Sequence, residues 1–160
     1  MKRLEPLGRL ERIGLSRGAR RLLRSTRVAH LATADKAGRP HVIPICFVFD
    51  GRAFYSPIDE KPKQTDPRRL KRLRNISENP QVALVIDRYD EDWRRLAYVL
   101  TFGKAGVLLS GVKHRKAVRL LRRKYRQYRS MSIERAPIIQ ITPARVVVWE
   151  SNARQTSRTS

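Results

Sequence analysis

Residues 27–57 read RVAHLATADKAGRPHVIPICFVFDGRAFYSP, and this stretch decides the fold. Its runs of apolar, β-branched and aromatic side chains predict three strands, over residues 27–34, 40–49 and 52–57. The first turn contains Gly38, which can take a positive φ without steric cost. The second turn is Asp50-Gly51, a strong signal for a two-residue hairpin. Because both turns are short, the three strands are expected to form an antiparallel meander.

The flanking segments predict two helices and a further strand. Residues 16–25 form a short helix that Ser16 can cap, with Ala19, Leu22 and Leu23 on one face. A second helix begins at Asp66-Pro67, with aspartate as N-cap and proline in the first helical position, and it stops before Asn79-Pro80. Residues 81–88 follow as a mostly apolar strand, which predicts burial on both faces.

The C-terminal part predicts a strand, a helix and a last strand. Residues 96–109 form a long strand in which Gly103 marks a bulge or bend. Residues 112–128 form a very basic helix with one apolar face, made of Ala117, Leu121, Tyr125 and Tyr128. Residues 137–149 form the last strand. The whole order predicts an α+β, mainly β fold: a six-stranded antiparallel barrel with about three flanking helices. We expect one domain over residues 1–150 and a disordered polar tail over residues 151–160.

The charge is unusual, with 36 Lys and Arg against 14 Asp and Glu and a formal net charge of +22. Such a field attracts polyanions, although a solvated basic surface is an equally simple explanation. The single cysteine, Cys46, excludes an internal disulfide and leaves a cysteine-based metal site without ligands. We expect no signal peptide, since the N-terminus is charged and broken by Pro6, and no membrane span. A soluble, cytoplasmic protein is therefore expected.

Motifs for a dedicated catalytic residue or a metal are absent. The sequence has no HExxH, GxSxG, GxGxxG or P-loop pattern, so we predict neither a catalytic nucleophile or base nor a metal ligand. What remains is an anion site: Lys61 and Lys63 lie in a loop that leads into the helix start at Asp66-Pro67, where free backbone N–H groups favour phosphate. In a chain with 36 cations, two in one loop can also arise by chance.

Several segments together resemble the FMN-binding split-barrel superfamily, which includes pyridoxamine 5′-phosphate oxidase. They are the 27–57 stretch, Lys61-Pro62-Lys63, Leu70–Ile76 and Asn79–Val85. The resemblance is strongest to the branch that uses the deazaflavin coenzyme F-420, and Asp87–Trp93 is similar to one subgroup of that branch. It implies a six-stranded split β-barrel and a homodimer that holds the cofactor at the subunit interface.

The resemblance also implies which residues contact the cofactor. The phosphate is assigned to the basic loop Lys61, Pro62 and Lys63. The ring is assigned to the backbone of Pro44, Ile45 and Cys46. The ring and the ribityl chain are flanked by Tyr55, Ser56, Pro57 and Ile58. Two helix residues lie near the phosphate, Arg72 and Asn75. Trp93 closes the site from the partner subunit or is simply a lid or dimer aromatic.

The implied function is an F-420-dependent oxidoreductase that transfers a hydride between the cofactor and a small conjugated organic acceptor. The alternatives are an FMN-dependent oxidase or reductase of the same fold, and a protein that holds a flavin or haem without turnover. The arginine-rich substrate site of a pyridoxamine phosphate oxidase is absent, which disfavours vitamin B6 oxidation. A basic nucleic-acid-binding protein is the most distant alternative, because aromatic residues are only 7% and no reading motif is present.

Overall fold

The computed structural model describes residues 14–59 and 70–151. Three helices are present, α1 (Arg17–Ser25), α2 (Lys71–Glu78) and α3 (Val112–Lys124). The strands are β1 (Ala29–Ala34), β2 (Pro40–Ile45), β3 (Val48–Phe49), β4 (Phe54–Pro57), β5 (Gln81–Arg88), β6 (Ala97–Leu108) and β7 (Ile138–Glu150). Two single 3-10 turns complete the order, Trp93–Arg95 and Arg126–Arg129.

The strands form one antiparallel sheet with the order β2-β1-β5-β6-β7-β4-β3. Its two edge strands, β2 and β3, are consecutive in the chain and are separated only by Cys46 and Phe47. The sheet must therefore curl until its edges approach each other, which gives the half-barrel of an α+β split barrel. The predicted fold class is confirmed, with seven strands where six were expected.

The extra strand arises because the predicted strand over 40–49 is broken at Cys46 and Phe47. The Phe47 N–H donates to the Tyr125 hydroxyl at 2.9 Å, and this hydroxyl also lies 2.9 Å from the Phe47 carbonyl oxygen. A side chain from beyond α3 thus satisfies the backbone groups that a neighbouring strand would otherwise pair. The chain can then turn at this corner without leaving buried polar groups unpaired.

The prediction that β5 is buried on both faces is wrong. Along β5 the burial alternates: Val82, Leu84 and Ile86 are buried, whereas Ala83 and Val85 are only half-buried. The sequence does not reveal this alternation, because apolar side chains occupy both faces of the strand. An antiparallel sheet can pack one face on a core while the other face stays partly accessible.

Most other local predictions hold. Ser16 caps α1, its hydroxyl accepting from the Ala19 N–H at 3.0 Å. Gly38 has a φ of 78°, and the register of β6 on β7 shifts at Gly103 as predicted for a bulge. The third helix ends earlier than expected, at Lys124, although its predicted apolar face is buried. The predicted helix start at Asp66-Pro67 lies outside the described residues. Of the predicted tail, Ser151 is described, and its N–H donates to the Leu96 carbonyl at 3.0 Å.

Two apolar clusters form the core. The larger one joins α1 to the inner face of the sheet, and it includes Ile45 and Ile58. The smaller one lies under α3, and it includes Tyr55 with Cys46 packed against its edge. The segments that were predicted to contact a cofactor therefore run along the boundary between the two clusters.

A buried carboxylate joins α2 to the turn between β1 and β2. Asp35 is 3% exposed, and its side chain accepts from the Ala37 and Arg39 N–H groups at 3.0 Å each. It also pairs with the Arg39 guanidinium at 2.8 Å and with the Lys71 ammonium at 3.4 Å. The backbone hydrogen bond from Arg39, together with these cations, holds the pKa of Asp35 well below its ordinary value of 3.8.

Replacing Asp35 with asparagine should destabilise the protein in a pH-dependent way. Because the folded-state pKa of Asp35 is depressed, its contribution to the free energy of unfolding is complete above about pH 4 and is lost as the pH falls toward the folded value. Urea midpoints of wild type and Asp35→Asn should therefore differ most at neutral pH and converge at low pH. A difference that stays constant from about pH 7 to about pH 3 would contradict this assignment.

Candidate functional site

The corner between β2 and β3 and the end of β4 bring most of the predicted ring-contacting residues together. Strand β3 pairs with β4 through Val48 and Tyr55, so the residues on either side of this pair are neighbours. Burial differs along the segment: Pro44 is exposed and Cys46 is half-buried, whereas the others are buried, namely Ile45, Tyr55, Ser56, Pro57 and Ile58. The Ile58 N–H donates to the Pro137 carbonyl at 2.9 Å, which fixes the end of β4 against β7.

Tyr55 is committed to the hairpin. Its hydroxyl donates to the Asp50 carboxylate at 3.3 Å, and the Lys116 ammonium lies 2.6 Å from the same oxygen. Burial and the neighbouring Asp50 carboxylate raise the pKa of Tyr55 to about 12, so it is a neutral hydrogen-bond donor at physiological pH. Tyr55 therefore supports the wall of the site, and any contact with a ligand involves its backbone or ring.

A polar connection runs from this corner to α2. The Tyr128 hydroxyl donates to Asp59 Oδ2 at 3.0 Å, and burial together with the neighbouring Cys46 and Asp59 raises the pKa of Tyr128. The Asp59 carboxylate in turn acts electrostatically on the Arg72 guanidinium. Pairwise interactions thus connect Cys46, Tyr128, Asp59 and Arg72, from the β2–β3 corner to the first turn of α2, and we refer to the region that these four residues border as the crevice.

Arg72 is the group in this crevice that most suits an anion. Its Nε is buried and has no hydrogen-bond partner among the described residues. Burial lowers the pKa of Arg72, and the Asp59 carboxylate opposes that shift. An arginine guanidinium is cationic at neutral pH. A buried donor without a partner is costly, and a phosphate oxygen is a strong acceptor for a guanidinium.

The side chain of Asn75 is used for contacts within the chain. It is 1% exposed, its Nδ2 donates to Thr33 Oγ1 at 2.9 Å, and its Oδ1 accepts from Lys71 Nζ at 2.9 Å. Both ends of the amide are thus used to hold α2 on β1. In this arrangement Asn75 positions the helix that carries Arg72.

The remaining predicted residues are not brought into the crevice by the described chain. Trp93 lies in the 3-10 turn between β5 and β6 and is 70% exposed, so it closes nothing within one subunit. Lys61, Pro62 and Lys63 lie outside the described residues. Of the residues predicted to lie near the phosphate, the structure describes Arg72 and Asn75, and the basic loop remains a prediction.

Three residues that structure the crevice were missed as site residues: Asp59, Tyr125 and Tyr128. The signal for the tyrosines was available, because both lie on the predicted buried face of the α3 segment, and a buried tyrosine hydroxyl usually needs a partner. The identity of those partners was not available, since Phe47 and Asp59 are both far from α3 in the sequence.

Two features are absent from the described residues, a cluster of metal ligands and a membrane-spanning helix. Within residues 14–59 and 70–151, no three side chains from His, Cys, Asp and Glu come together as metal ligands. None of the helices described there has the length and apolar character needed to cross a membrane.

Solved structures of other proteins share the fold. A conserved hypothetical protein from Mycobacterium tuberculosis superposes with a TM-score of 0.68 at 16% identity, over 96% of each chain. An F-420 reductase gives a TM-score of 0.59 at 21% identity, over 83% of this chain and 98% of that one. The heme storage protein HutZ from Vibrio cholerae gives 0.62 at 14% identity, over 82% of this chain and 90% of that one. At these identities the likeness establishes the architecture alone.

Sequence comparison places the chain in a family. No curated protein sequence matches it. A family model described as pyridoxamine 5′-phosphate oxidase, however, matches residues 15–150, which span every strand and helix of the described fold. The curled antiparallel sheet agrees with that match. The chain therefore belongs to the pyridoxamine 5′-phosphate oxidase family of split-barrel proteins.

Proposed function

We propose that this protein is an oxidoreductase that binds coenzyme F-420, with FMN as the alternative cofactor, in the crevice at the β2–β3 corner. The observation that carries the proposal is the buried, unpartnered Nε of Arg72 at the mouth of that crevice. Family membership and the fold shared with an F-420 reductase support it. The net charge of +22 is consistent with an anionic cofactor, although FMN is anionic as well.

Different residues of the chain contact the phosphate and the ring of the cofactor. Arg72 donates to the cofactor phosphate together with Lys61 and Lys63, whose contribution rests on the resemblance. The backbone from Pro44 to Cys46 borders the ring, and the buried Ile45 and Ile58 keep water away from it. A bound F-420 supplies the hydride chemistry, so the chain needs no nucleophile or general base of its own. The acceptor is a small, planar conjugated compound, which the open side of the crevice has to orient.

We also propose that the active form is a homodimer. Large aromatic side chains stay exposed near the ends of β5, β6 and β7, namely Tyr89, Trp93 and Trp149, at 68%, 70% and 43%. Exposed aromatic groups at one end of a sheet commonly mark a protein interface. In such a dimer Trp93 would reach the crevice of the partner subunit. Light scattering on the purified protein at several concentrations tests the assembly, and a monomer at all of them would refute it.

The function is tested first by identifying the cofactor. Absorbance and mass spectra of whatever the purified protein retains are followed by titration with F-420 and FMN. Oxidation of reduced F-420 is then measured with a panel of planar conjugated acceptors. Saturable F-420 binding with turnover of at least one acceptor supports the proposal. Tighter binding of FMN than of F-420 would move the function to the flavin alternative.

Replacing Arg72 with methionine should raise the Kd of the cofactor roughly ten-fold. A hydrogen bond to a charged group contributes about 1.5–3 kcal/mol, and the lower end applies because Arg72 is only half-buried. Methionine keeps the length and helix propensity of the side chain. Arg74→Met is the matched control, since Arg74 is exposed on the same helix. Isothermal titration gives both values, and an equal effect of the two substitutions would remove Arg72 from the site.

A second candidate is a protein that stores a cofactor without turnover. The observation in its favour is the shared fold with the heme storage protein HutZ. Two experiments separate it from the enzyme: haemin addition followed by its absorbance band, and the acceptor panel described above. Haem binding without oxidation of reduced F-420 by any acceptor would favour storage.

A further inference from the structure

Helices α1 and α3 carry an unbroken excess of positive charge. The nine residues of α1 include four arginines, and the thirteen residues of α3 include seven lysines and arginines, with no acidic residue in either helix. Like charges placed three or four residues apart on a helix repel each other. Some feature of the environment must therefore offset this repulsion.

The local carboxylates neutralise only part of this charge. Asp50 is paired with Lys116 at 2.6 Å, and Glu134 is paired with Arg122 at 2.5 Å. Glu150 lies at the N-terminal end of α1, where the Ser16 hydroxyl donates to it at 3.4 Å. Seven exposed arginines of α1 and α3 have no carboxylate partner among the described residues, and four of them make up two pairs spaced four residues apart: Arg20 with Arg24, and Arg119 with Arg123. We call these four the basic face.

The two halves of the basic face come together at the C-terminal ends of the helices. Lys124 Nζ donates to the Leu23 carbonyl at 2.9 Å, and the Arg27 guanidinium donates to the Lys124 carbonyl. Arg24 and Arg123 are the sequence neighbours of these bonded residues. The helix dipole explains a cation in each last turn, but Arg20 and Arg119 lie further back in their helices.

The spacing within each half is regular. Arg20 and Arg24 are four residues apart, as are Arg119 and Arg123, which places each pair on one helix face with roughly 6 Å between the Cα positions along the axis. A polyanion with closely spaced charges can engage both arginines of a pair, whereas a small anion can engage only one or two groups. The arrangement therefore suits an extended, highly charged partner.

The apolar faces of the same helices distinguish a nucleic acid from a membrane. A helix that lies on a membrane inserts its apolar face between the lipids. Here the apolar residues of α1, Ala19, Leu22 and Leu23, are at most 4% exposed, and those of α3 pack in or against the core, except for its first residue, Val112. What the two helices leave to solvent is almost entirely cationic, which fits contacts to a phosphate backbone.

We infer that the basic face binds the phosphate backbone of duplex nucleic acid without reading its sequence. This inference goes beyond the proposed function and does not depend on it. Recognition of this kind needs neither stacking aromatics nor a reading motif, so their scarcity in the sequence is no obstacle. It relies on charge density alone, and its affinity must therefore fall steeply with salt.

The test is fluorescence anisotropy with a labelled duplex of random sequence, with the salt varied over roughly 50 to 200 mM. The full chain should bind with a log–log salt slope that becomes shallower by about 2–3 when Arg24, Arg119 and Arg123 are replaced together with glutamine, since each lost phosphate contact contributes about 0.9. The matched control lowers the charge equally at scattered exposed positions, Lys36→Gln, Arg74→Gln and Lys104→Gln, and should change the slope much less.

Further measurements keep the test decisive. Circular dichroism checks that the variants are folded, and a double variant, Arg119→Gln with Arg123→Gln, serves if the triple variant is not. Cofactor titration of the triple variant should give the wild-type Kd. No duplex binding at the lowest salt would overturn the inference, as would an equal loss in the control. Binding to phosphatidylserine vesicles but not to duplex would assign the face to a membrane, which would then use the exposed Leu109 and Val112.

Discussion

Replacing Gly103 with alanine is expected to destabilise the fold by about 1–3 kcal/mol, the range for overpacking a filled site. A Cβ at this position would lie 2.2 Å from the Thr142 carbonyl oxygen and 3.0 Å from its carbonyl carbon. Both atoms belong to the backbone of β7, which cannot rotate away as a side chain could. The bulge at Gly103 lies in the pairing of β6 with β7, so relief of the clash requires movement along the longest ladder of the sheet.

The same strand offers a matched control in Gly106. A Cβ built on Gly106 meets no atom within 4 Å, and its φ is not in the left-handed region. Gly106→Ala should therefore be neutral or slightly stabilising, since alanine reduces the entropy of the unfolded chain. Urea unfolding of the two variants and wild type measures the difference. Equal midpoints for Gly103→Ala and Gly106→Ala would contradict the prediction, because they would show that the β7 backbone can move at this bulge without a loss in the free energy of unfolding.

The bulge at Gly103 also shows what kind of information a sequence carries about this fold. Glycine in a strand and the Ser16 cap are local signals, and each of them predicted the observed local geometry. Asp50-Gly51 predicted the hairpin but not its length, since Phe49 pairs with Phe54 and four residues connect β3 to β4. The break at Cys46 and Phe47 is different, because the hydroxyl that satisfies the backbone there belongs to Tyr125, 78 residues further along the chain. The strand run around it reads as continuous, and the sequence offers no local reason to divide it.

The candidate site also combines residues that local sequence signals indicate with residues whose contacts depend on the tertiary fold. Local patterns indicated only two loop cations before a helix, and the other site residues came from the resemblance. Arg72 was placed near the phosphate on that basis, and it is the described residue that most suits an anion. Asn75 came from the same helix, yet its amide binds Thr33 and Lys71, because it lies on the face of α2 that packs against β1. Which face of α2 packs against the sheet depends on tertiary contacts, and the spacing of residues along the helix did not predict it.

The largest effect on cofactor binding is expected from replacing Lys61 and Lys63 together with alanine. Affinity should fall by at least ~2 kcal/mol, or about 30-fold in Kd, because each charged contact contributes about 1.5–3 kcal/mol. The free energy of unfolding should change little, since loop cations contribute little to stability. Combined with Arg72→Met, the loss should be less than additive if the three cations share one phosphate, as groups that contact the same partner are energetically coupled.

Charge alone could mimic this result, because any loss of positive charge weakens the attraction of an anionic cofactor. The control is therefore a double variant with the same net charge, Lys36→Ala and Lys104→Ala, at exposed positions outside the crevice. Both double variants should respond to salt, but a direct contact leaves a difference between them that persists at high ionic strength, where long-range attraction is screened. If the two Kd values converge as salt is added, the basic loop only attracts the cofactor, and the direct phosphate contact has to be sought at Arg72.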